Sequence, residues 1–219
     1  VKLTLIRNGQ QIEIPIVREK ITVPSVESEI LEGNIGYLKI TRFSDDTYQL
    51  ASAAAADFKS KNVKGIVLDV RNNGGGLLDS SVKVAGLWLD NKVVVEEREG
   101  GKTTASLRTG NNPPLAGIPT KMLINEGSAS ASEILAGALH DHKVATLIGA
   151  KSFGKGSVQE LIDLPGGAQL KVTVAHWFTP NGVNVNKEGI KPDIEVTLTE
   201  EDFKNNRDPQ KDRALQELK

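Results

Sequence analysis

Apolar residues along the chain recur with two different periods, one typical of strands and one typical of helices. Alternation over residues 1–7 and 11–17, on either side of Asn8-Gly9, predicts a β-hairpin. Helical spacing of apolar residues occurs in 48–61, 77–90 and 130–141. Short, largely apolar runs typical of strands occupy 35–40, 65–70, 93–98, 121–125 and 144–149. This order of elements predicts an α/β layered core with substantial parallel pairing.

The remaining segments have weaker patterns. Residues 158–164 and 169–178 flank a Pro-Gly-Gly turn and predict a second antiparallel hairpin. Residues 19–31 carry mixed charge and predict a connector, and 103–119 predict an irregular surface segment. The last twenty or so residues are highly charged with few apolar groups, which predicts a peripheral helix or a disordered tail.

These patterns divide the chain into three expected parts. Residues 1–31 would be the end of a preceding domain and its connector, 32–200 the core, and 201–219 the charged tail or peripheral helix. Because the chain begins with Val1, we expect a fragment whose targeting segment lies upstream.

Composition excludes several kinds of site. The 219 residues include 27 basic and 28 acidic side chains, so no net field favours nucleic acid as a partner. The absence of cysteine excludes disulfides, thiolate metal sites and a cysteine nucleophile. No apolar run approaches the roughly 20 residues that span a bilayer.

Three serines, Ser128, Ser130 and Ser132, lie among small residues at the predicted start of the third helix. Ser130 precedes Glu133 by three residues, which is the capping-box pattern, and a serine in this position is more often a cap than a nucleophile. The small neighbours would also let a substrate backbone approach, and chemistry alone does not choose among the three serines.

A nucleophilic serine needs a base, and the chain offers histidines and one glycine-flanked lysine. His140, next to Asp141, would lie about 15 Å along a helix that starts at Ser130, which disfavours a Ser/His/Asp triad. Lys155 stands between two glycines in a predicted loop. A lysine base must be neutral, so we expect it to be buried and hydrogen-bonded. The alternative is a solvated loop lysine or a phosphate ligand.

Residues 127–133, Gly-Ser-Ala-Ser-Ala-Ser-Glu, and 152–159, Ser-Phe-Gly-Lys-Gly-Ser-Val-Gln, closely resemble the C-terminal processing (tail-specific) peptidases. The resemblance implies that Ser130 is the nucleophile and Lys155 its general base, forming a Ser/Lys dyad. It also implies that Gln159 orients the lysine amine. No metal or cofactor is implied.

The resemblance extends to the glycine-rich run that follows the predicted strand 65–70. Residues 68–76 match the oxyanion segment of these peptidases, with Gly74 where proline is common. Gly75 or Gly76, together with the amide of Ala131, would then bind the oxyanion. Further matches imply structural supports; these residues are Glu133, Asp141 and Ser152, the last standing where threonine is more usual.

The family resemblance implies a core similar to the ClpP/crotonase spiral, with an added hairpin region from the N-terminal segment and the C-terminal strands. It implies a serine endopeptidase that cleaves flexible C-terminal segments of proteins through an acyl-enzyme, in the periplasm, at the cell envelope or after secretion. Such peptidases usually carry a PDZ domain, of which only residues 1–17 would remain here. An adaptor protein as a further partner and assembly into a homo-oligomer are both compatible with this resemblance.

Two other functions remain open at this stage. A crotonase-like acyl-CoA enzyme would use the glycine amides without a Ser130–Lys155 pair. In a non-catalytic peptide-binding module, Ser130 would only cap a helix and Lys155 would only be a loop charge.

Overall fold

The structure, a computed structural model, describes residues 1–19, 21 and 23–219, so Lys20 and Thr22 of the predicted connector lie outside the described residues. Within the described residues the strands are β1 (Lys2–Arg7), β2 (Gln10–Pro15), β3 (Val26–Leu31), β4 (Ile35–Ile40), β5 (Gly65–Asp69), β6 (Val93–Glu99), β7 (Lys102–Arg108), β8 (Thr120–Ile124), β9 (Ala145–Gly149), β10 (Ser157–Asp163), β11 (Gln169–Phe178) and β12 (Ile194–Glu195). The helices are α1 (Thr47–Ser60), α2 (Leu78–Ala85), α3 (Ala131–Asp141), α4 (Glu200–Lys204) and α5 (Pro209–Gln216). None of the helices in this described part is both long and apolar enough to cross a bilayer.

The main sheet has six strands in the order β12-β9-β8-β5-β4-β3. Its strands from β12 to β4 are parallel, and β3 adds antiparallel to β4 at the edge. The predicted α/β arrangement with substantial parallel pairing is therefore confirmed.

The central strand β5 is buried on both faces, as its continuous apolar run predicts. Ile66 and Leu68 belong to the larger core, which α1, α2 and α3 cover. Val67 points to the opposite face and packs in a smaller core with Ala214 of α5. The C-terminal helix thus closes the second face of the sheet.

A second sheet is antiparallel, with the order β10-β11-β6-β7. The predicted hairpin of 158–164 and 169–178 corresponds to β10 and β11, whose register includes Asp163 opposite Gln169. The prediction of an irregular segment over 103–119 is wrong for its first part, because β7 pairs with β6 across a Gly100-Gly101 turn.

The structure also differs from the prediction at 19–31. Residues 26–31 form β3, whose Val26 lies opposite Ile40 in the main sheet, and are not part of a connector. The charged residues of this strand face solvent because β3 is an edge strand. Its sequence therefore lacks the apolar run by which a buried strand is predicted.

The first two strands form a separate antiparallel hairpin. Asn8 and Gly9 both have positive φ, 53° and 75°, as a two-residue type I′ turn requires. Most of its apolar residues are exposed, including Leu3, Leu5 and Ile6.

Candidate active site

The predicted site residues lie in loops at the carboxyl ends of neighbouring parallel strands. The 71–76 loop follows β5, and 125–130 follows β8, which pairs directly with β5. In α/β sheets this edge is where binding and catalytic loops converge.

Two of the three candidate serines are structural. Ser128 is fully buried, donates its hydroxyl to the Val70 carbonyl at 2.8 Å and accepts the Asn125 N–H at 3.0 Å. Ser132 is also fully buried and donates to the Asn73 carbonyl at 2.8 Å. Ser130 is only partly buried. The geometry therefore singles out Ser130, a choice that residue chemistry alone does not make.

Ser130 has an unusual backbone conformation, with φ 55° and ψ −116°. Such a geometry is costly for a residue with a side chain, and it is typical of sharp turns that present a functional group. Gly75 lies directly against this turn. A Cβ at position 75 would lie 2.8 Å from the Cβ of Ser130, so only glycine allows this close approach.

The expected oxyanion donors differ in what they bind. The Gly75 N–H donates to Oδ1 of Asn73 at 2.9 Å and is therefore occupied. Among the described residues, no protein oxygen accepts a hydrogen bond from the N–H of Gly76 or of Ala131. These two amides remain available for a developing oxyanion.

Glu133 is the central support of the site. Its side chain is fully buried, and its carboxylate accepts four hydrogen bonds. Oε2 accepts the backbone N–H groups of Ser130 at 2.8 Å and Lys155 at 2.9 Å. Oε1 accepts the Ser152 hydroxyl and the Gly154 N–H, both at 2.6 Å. One carboxylate therefore joins the serine turn to the lysine loop.

The other two supports act farther from Ser130. Ser152, which donates to Glu133, also accepts the Ile190 N–H at 2.7 Å and so fixes a third loop against the first two. Asp141, at the far end of α3, accepts the Asn181 N–H at 2.8 Å. Both contacts fit a structural role.

The expectation that Lys155 is buried is wrong. Exposure alternates along the extended loop: Gly154 and Gly156 are buried, whereas Phe153 and Lys155 face solvent. The only hydrogen bond found for Lys155 among the described residues is that of its backbone N–H to Glu133, and none joins its amine to Ser130. Gln159 is exposed and lies in β10.

His140 and His142 bind groups outside this arrangement, whereas His176 lies opposite Ser157 in the β10–β11 hairpin, next to the lysine loop. His140 contacts Asp193 at 3.0 Å and Asp141 at 3.5 Å, and Nε2 of His142 lies 2.7 Å from the Val93 carbonyl. Within the described part of the chain none of them hydrogen-bonds to Ser130, and no group of three or more His, Cys, Asp or Glu residues could hold a metal ion.

The glycine loop is also tied to the C-terminal helix through Arg71, a contact that sequence reasoning missed. The Arg71 guanidinium donates to both oxygens of Asp208 at 2.8 Å and also binds Asp69. Burial acts to lower the pKa of Arg71, but the two carboxylates raise it above its ordinary value. Partial burial acts to raise the pKa of Asp208, and hydrogen bonds from Arg71 and Lys211 hold it below its ordinary value.

Comparison with known proteins identifies relatives that are similar to this chain in sequence. A probable CtpA-like serine protease of Staphylococcus haemolyticus is 43% identical over 198 residues, which cover 90% of this chain and 40% of the relative. A protein with the same description from Staphylococcus aureus (strain COL) is 40% identical over 198 residues, with the same coverage. The chain spans about 40% of the length of these curated relatives.

Solved structures of peptidases are also similar to this chain. The photosystem II D1 C-terminal processing protease superposes with a TM-score of 0.76 at 34% identity, covering 85% of this chain and 52% of that one. Mature CPAF in complex with lactacystin superposes with a TM-score of 0.70 at 14% identity, covering 88% of this chain and 53% of that one, which shows a shared fold.

The family model "Peptidase family S41" matches residues 34–196, which is most of the chain and includes every predicted catalytic and oxyanion residue. The mixed α/β fold with several sheets agrees with the solved peptidases of this kind. The chain therefore belongs to peptidase family S41.

Proposed function

We propose that this chain is the catalytic core of a serine endopeptidase in which Ser130 and Lys155 form the dyad. The observation that carries the proposal is the shared hydrogen bonding to Glu133. Both backbone N–H groups bind the same oxygen, at 2.8 and 2.9 Å, so the two nitrogens lie less than about 6 Å apart. From that distance the long Lys155 side chain reaches the Ser130 hydroxyl by rotation about its own bonds.

The lysine amine faces solvent in the structure, so the dyad requires this side chain to turn toward Ser130. A bound peptide would exclude water from the amine and favour its neutral form, which a general base needs. Gln159 would then orient the amine from the start of β10. In this account substrate binding completes the dyad.

The chemistry follows from these positions. Ser130 attacks a peptide carbonyl while Lys155 takes its proton and returns it to the leaving amine. The amides of Gly76 and Ala131 bind the oxyanion, and loss of one such donor typically costs about 3 to 4 kcal/mol. Water then hydrolyses the acyl-enzyme, with Lys155 again as the base. An acyl-CoA enzyme would use the glycine amides but has no need of the shared Glu133 contact.

We propose flexible C-terminal segments of proteins as substrates, added as a strand to a sheet edge. The edge strand β10 begins two residues after Lys155, which supports this placement. The similarity to the photosystem II D1 C-terminal processing protease, at 34% identity, supports C-terminal processing as the activity. We further propose a core of the ClpP/crotonase kind, delivery by a PDZ domain or an adaptor, and action in the periplasm, at the envelope or after secretion.

The test is cleavage of β-casein, an unfolded protein, across pH 6 to 10. Ser130→Ala and Lys155→Ala should each lower the rate by at least about a thousandfold, because each removes one half of the dyad. Ser28→Ala and Lys151→Ala, at exposed positions, are the matched controls and should retain activity. Unchanged cleavage by Ser130→Ala would disprove the mechanism.

A further inference from the structure

His176 on β11 carries a buried ring nitrogen, Nδ1, that has no hydrogen-bond partner among the described residues. Its chain neighbours Ala175 and Trp177 are both buried, and Trp177 packs in the larger core. Since side chains alternate along a strand, the His176 ring lies on the face of the second sheet that points away from this core. A buried polar atom without a partner is rare in folded proteins, so this nitrogen requires an explanation.

His176 lies next to the lysine loop. It is the direct cross-strand partner of Ser157, the first residue of β10. The Trp177 N–H donates to the Gly156 carbonyl at 2.8 Å, so the pairing of β11 continues into the loop. Lys155 is exposed and Gly156 is buried, and Lys155 therefore shares a face with Ser157. Directly opposite residues have Cβ atoms about 4.5 to 5.5 Å apart, and diagonal neighbours are about 7 to 8 Å apart. Ser157 is thus a neighbour of both Lys155 and His176.

On its other side His176 faces Arg98 of β6, which does not supply the missing partner. The Arg98 guanidinium donates to Glu96 from Nε at 3.1 Å and from Nη2 at 2.7 Å, and its carbon lies 4.4 Å from the centre of the Phe178 ring. A hydroxyl on the β10 side can donate to an unprotonated Nδ1, and the proton of the neutral ring is then on Nε2.

The neutral amine of Lys155 needs two acceptors when it acts as the base. Its lone pair takes the Ser130 proton, and its two N–H groups are left to be satisfied. The side-chain carbonyl of Gln159 would accept one of them, and the Ser157 hydroxyl oxygen would accept the other. The Ser157 hydroxyl must then donate its own proton, and Nδ1 of His176 is the acceptor on the neighbouring strand.

We infer that Ser157 and His176, which we call the Ser157–His176 pair, position the Lys155 amine for catalysis. The amine donates to the Ser157 oxygen, and the Ser157 hydroxyl donates to Nδ1 of His176. No proton is transferred along the pair, so both are positioning residues. The inference rests on the proposed function, because it takes Lys155 as the base. The unpaired Nδ1, the cross-strand register and the shared face of Lys155 and Ser157 are the observations that carry it.

The test is the rate at which a fluorophosphonate labels Ser130, which requires the base but no peptide. His176→Phe keeps a ring without the acceptor and should slow labelling by about tenfold or more. His176→Asn, whose side-chain carbonyl can replace Nδ1, should stay within about threefold of wild type. Ser157→Ala should be as slow as His176→Phe, and combining the two should cause no further loss. Ser106→Ala, at an exposed position on β7 of the same sheet, is the matched control and should keep the wild-type rate.

The same substitutions in Lys155→Ala separate positioning from a general loss of structure. Because the pair acts only through the lysine amine, His176→Phe and Ser157→Ala should change the residual labelling rate by less than about twofold in that background. If His176→Phe fails to fold, Ser157→Ala, which removes a single oxygen atom, decides the question.

Two results would overturn the Ser157–His176 pair and leave the proposed function standing. One is a wild-type labelling rate in Ser157→Ala and His176→Phe, and the other is an equal loss with and without Lys155. A wild-type chain that is not labelled at Ser130 and does not cleave β-casein would overturn the proposed function, and the pair with it.

Discussion

Asn73 shows how a single residue controls which amide of the glycine loop is available. Its side chain donates to the Ile40 carbonyl at 2.8 Å and accepts the Gly75 N–H at 2.9 Å. Its carbonyl accepts the Ala129 N–H at 3.0 Å and the Ser132 hydroxyl at 2.8 Å. Because the Gly75 N–H is occupied in this way, the donor that we propose from this loop for the oxyanion is the N–H of the next glycine, Gly76.

Asn73→Ala should therefore lower kcat by at least about tenfold with little change in KM, because the loop loses the contact that orients it toward the oxyanion. It should also lower the free energy of unfolding by about 1 to 3 kcal/mol, since buried partners lose their hydrogen bonds. Kinetics with a short peptide substrate and urea unfolding measure the two effects.

Asn181→Ala, at an exposed position, is the control and should change neither quantity. A lower free energy of unfolding with an unchanged kcat would mean that Asn73 stabilises the fold without positioning the oxyanion segment.

At the scale of elements, α5 is fixed to the sheet by polar contacts in addition to the apolar packing of Ala214 and Leu215. Asp208 precedes the helix, accepts the Lys211 N–H at 3.0 Å and binds Arg71 through both oxygens. The Lys211 amine lies 3.9 Å from the centre of the Tyr37 ring. Few apolar groups are needed, which explains how a highly charged segment forms a docked helix. Since Arg71 is the first residue of the 71–76 loop, α5 supports the active-site edge.

Asp208→Asn should lower the free energy of unfolding by about 1 to 3 kcal/mol at neutral pH, because the buried guanidinium loses one of its two carboxylates. The pKa of Asp208 is lowered in the folded chain, so its contribution is full above the ordinary aspartate pKa of about 3.9 and is lost as the pH falls through the lowered value.

The difference between wild type and Asp208→Asn in urea unfolding should therefore shrink at acid pH. Asp212→Asn, on the exposed face of the same helix, is the control and should behave like wild type. An equal loss of stability at pH 7 and pH 3 would contradict the assigned role of the Asp208 charge.

For the whole molecule, the sequence predicts best what depends on local periodicity. Helix α3 and strands β5 and β11 lie at or close to their predicted bounds, because each has a strong pattern of its own. Strands β3 and β7 were missed because solvated edge strands carry charged residues.

The site was predictable only in part, for a similar reason. The serine, glycine and lysine motifs are short and continuous, so the sequence shows them. Arg71 and Asp208 are 137 residues apart, and no pattern in either segment predicts their contact. The exposure of Lys155 depends on how its loop packs between neighbouring loops, which the sequence does not indicate.

The central claim is that Ser130 is a nucleophile activated by Lys155. Its most direct test is covalent labelling with a fluorophosphonate, with the modified residue located by mass spectrometry in the wild-type chain and in Lys155→Ala. We predict that Ser130 alone is labelled, that labelling accelerates as the pH rises, and that Lys155→Ala is labelled at least about a hundredfold more slowly. Labelling of a different serine, or equal rates in the two proteins, would contradict the account.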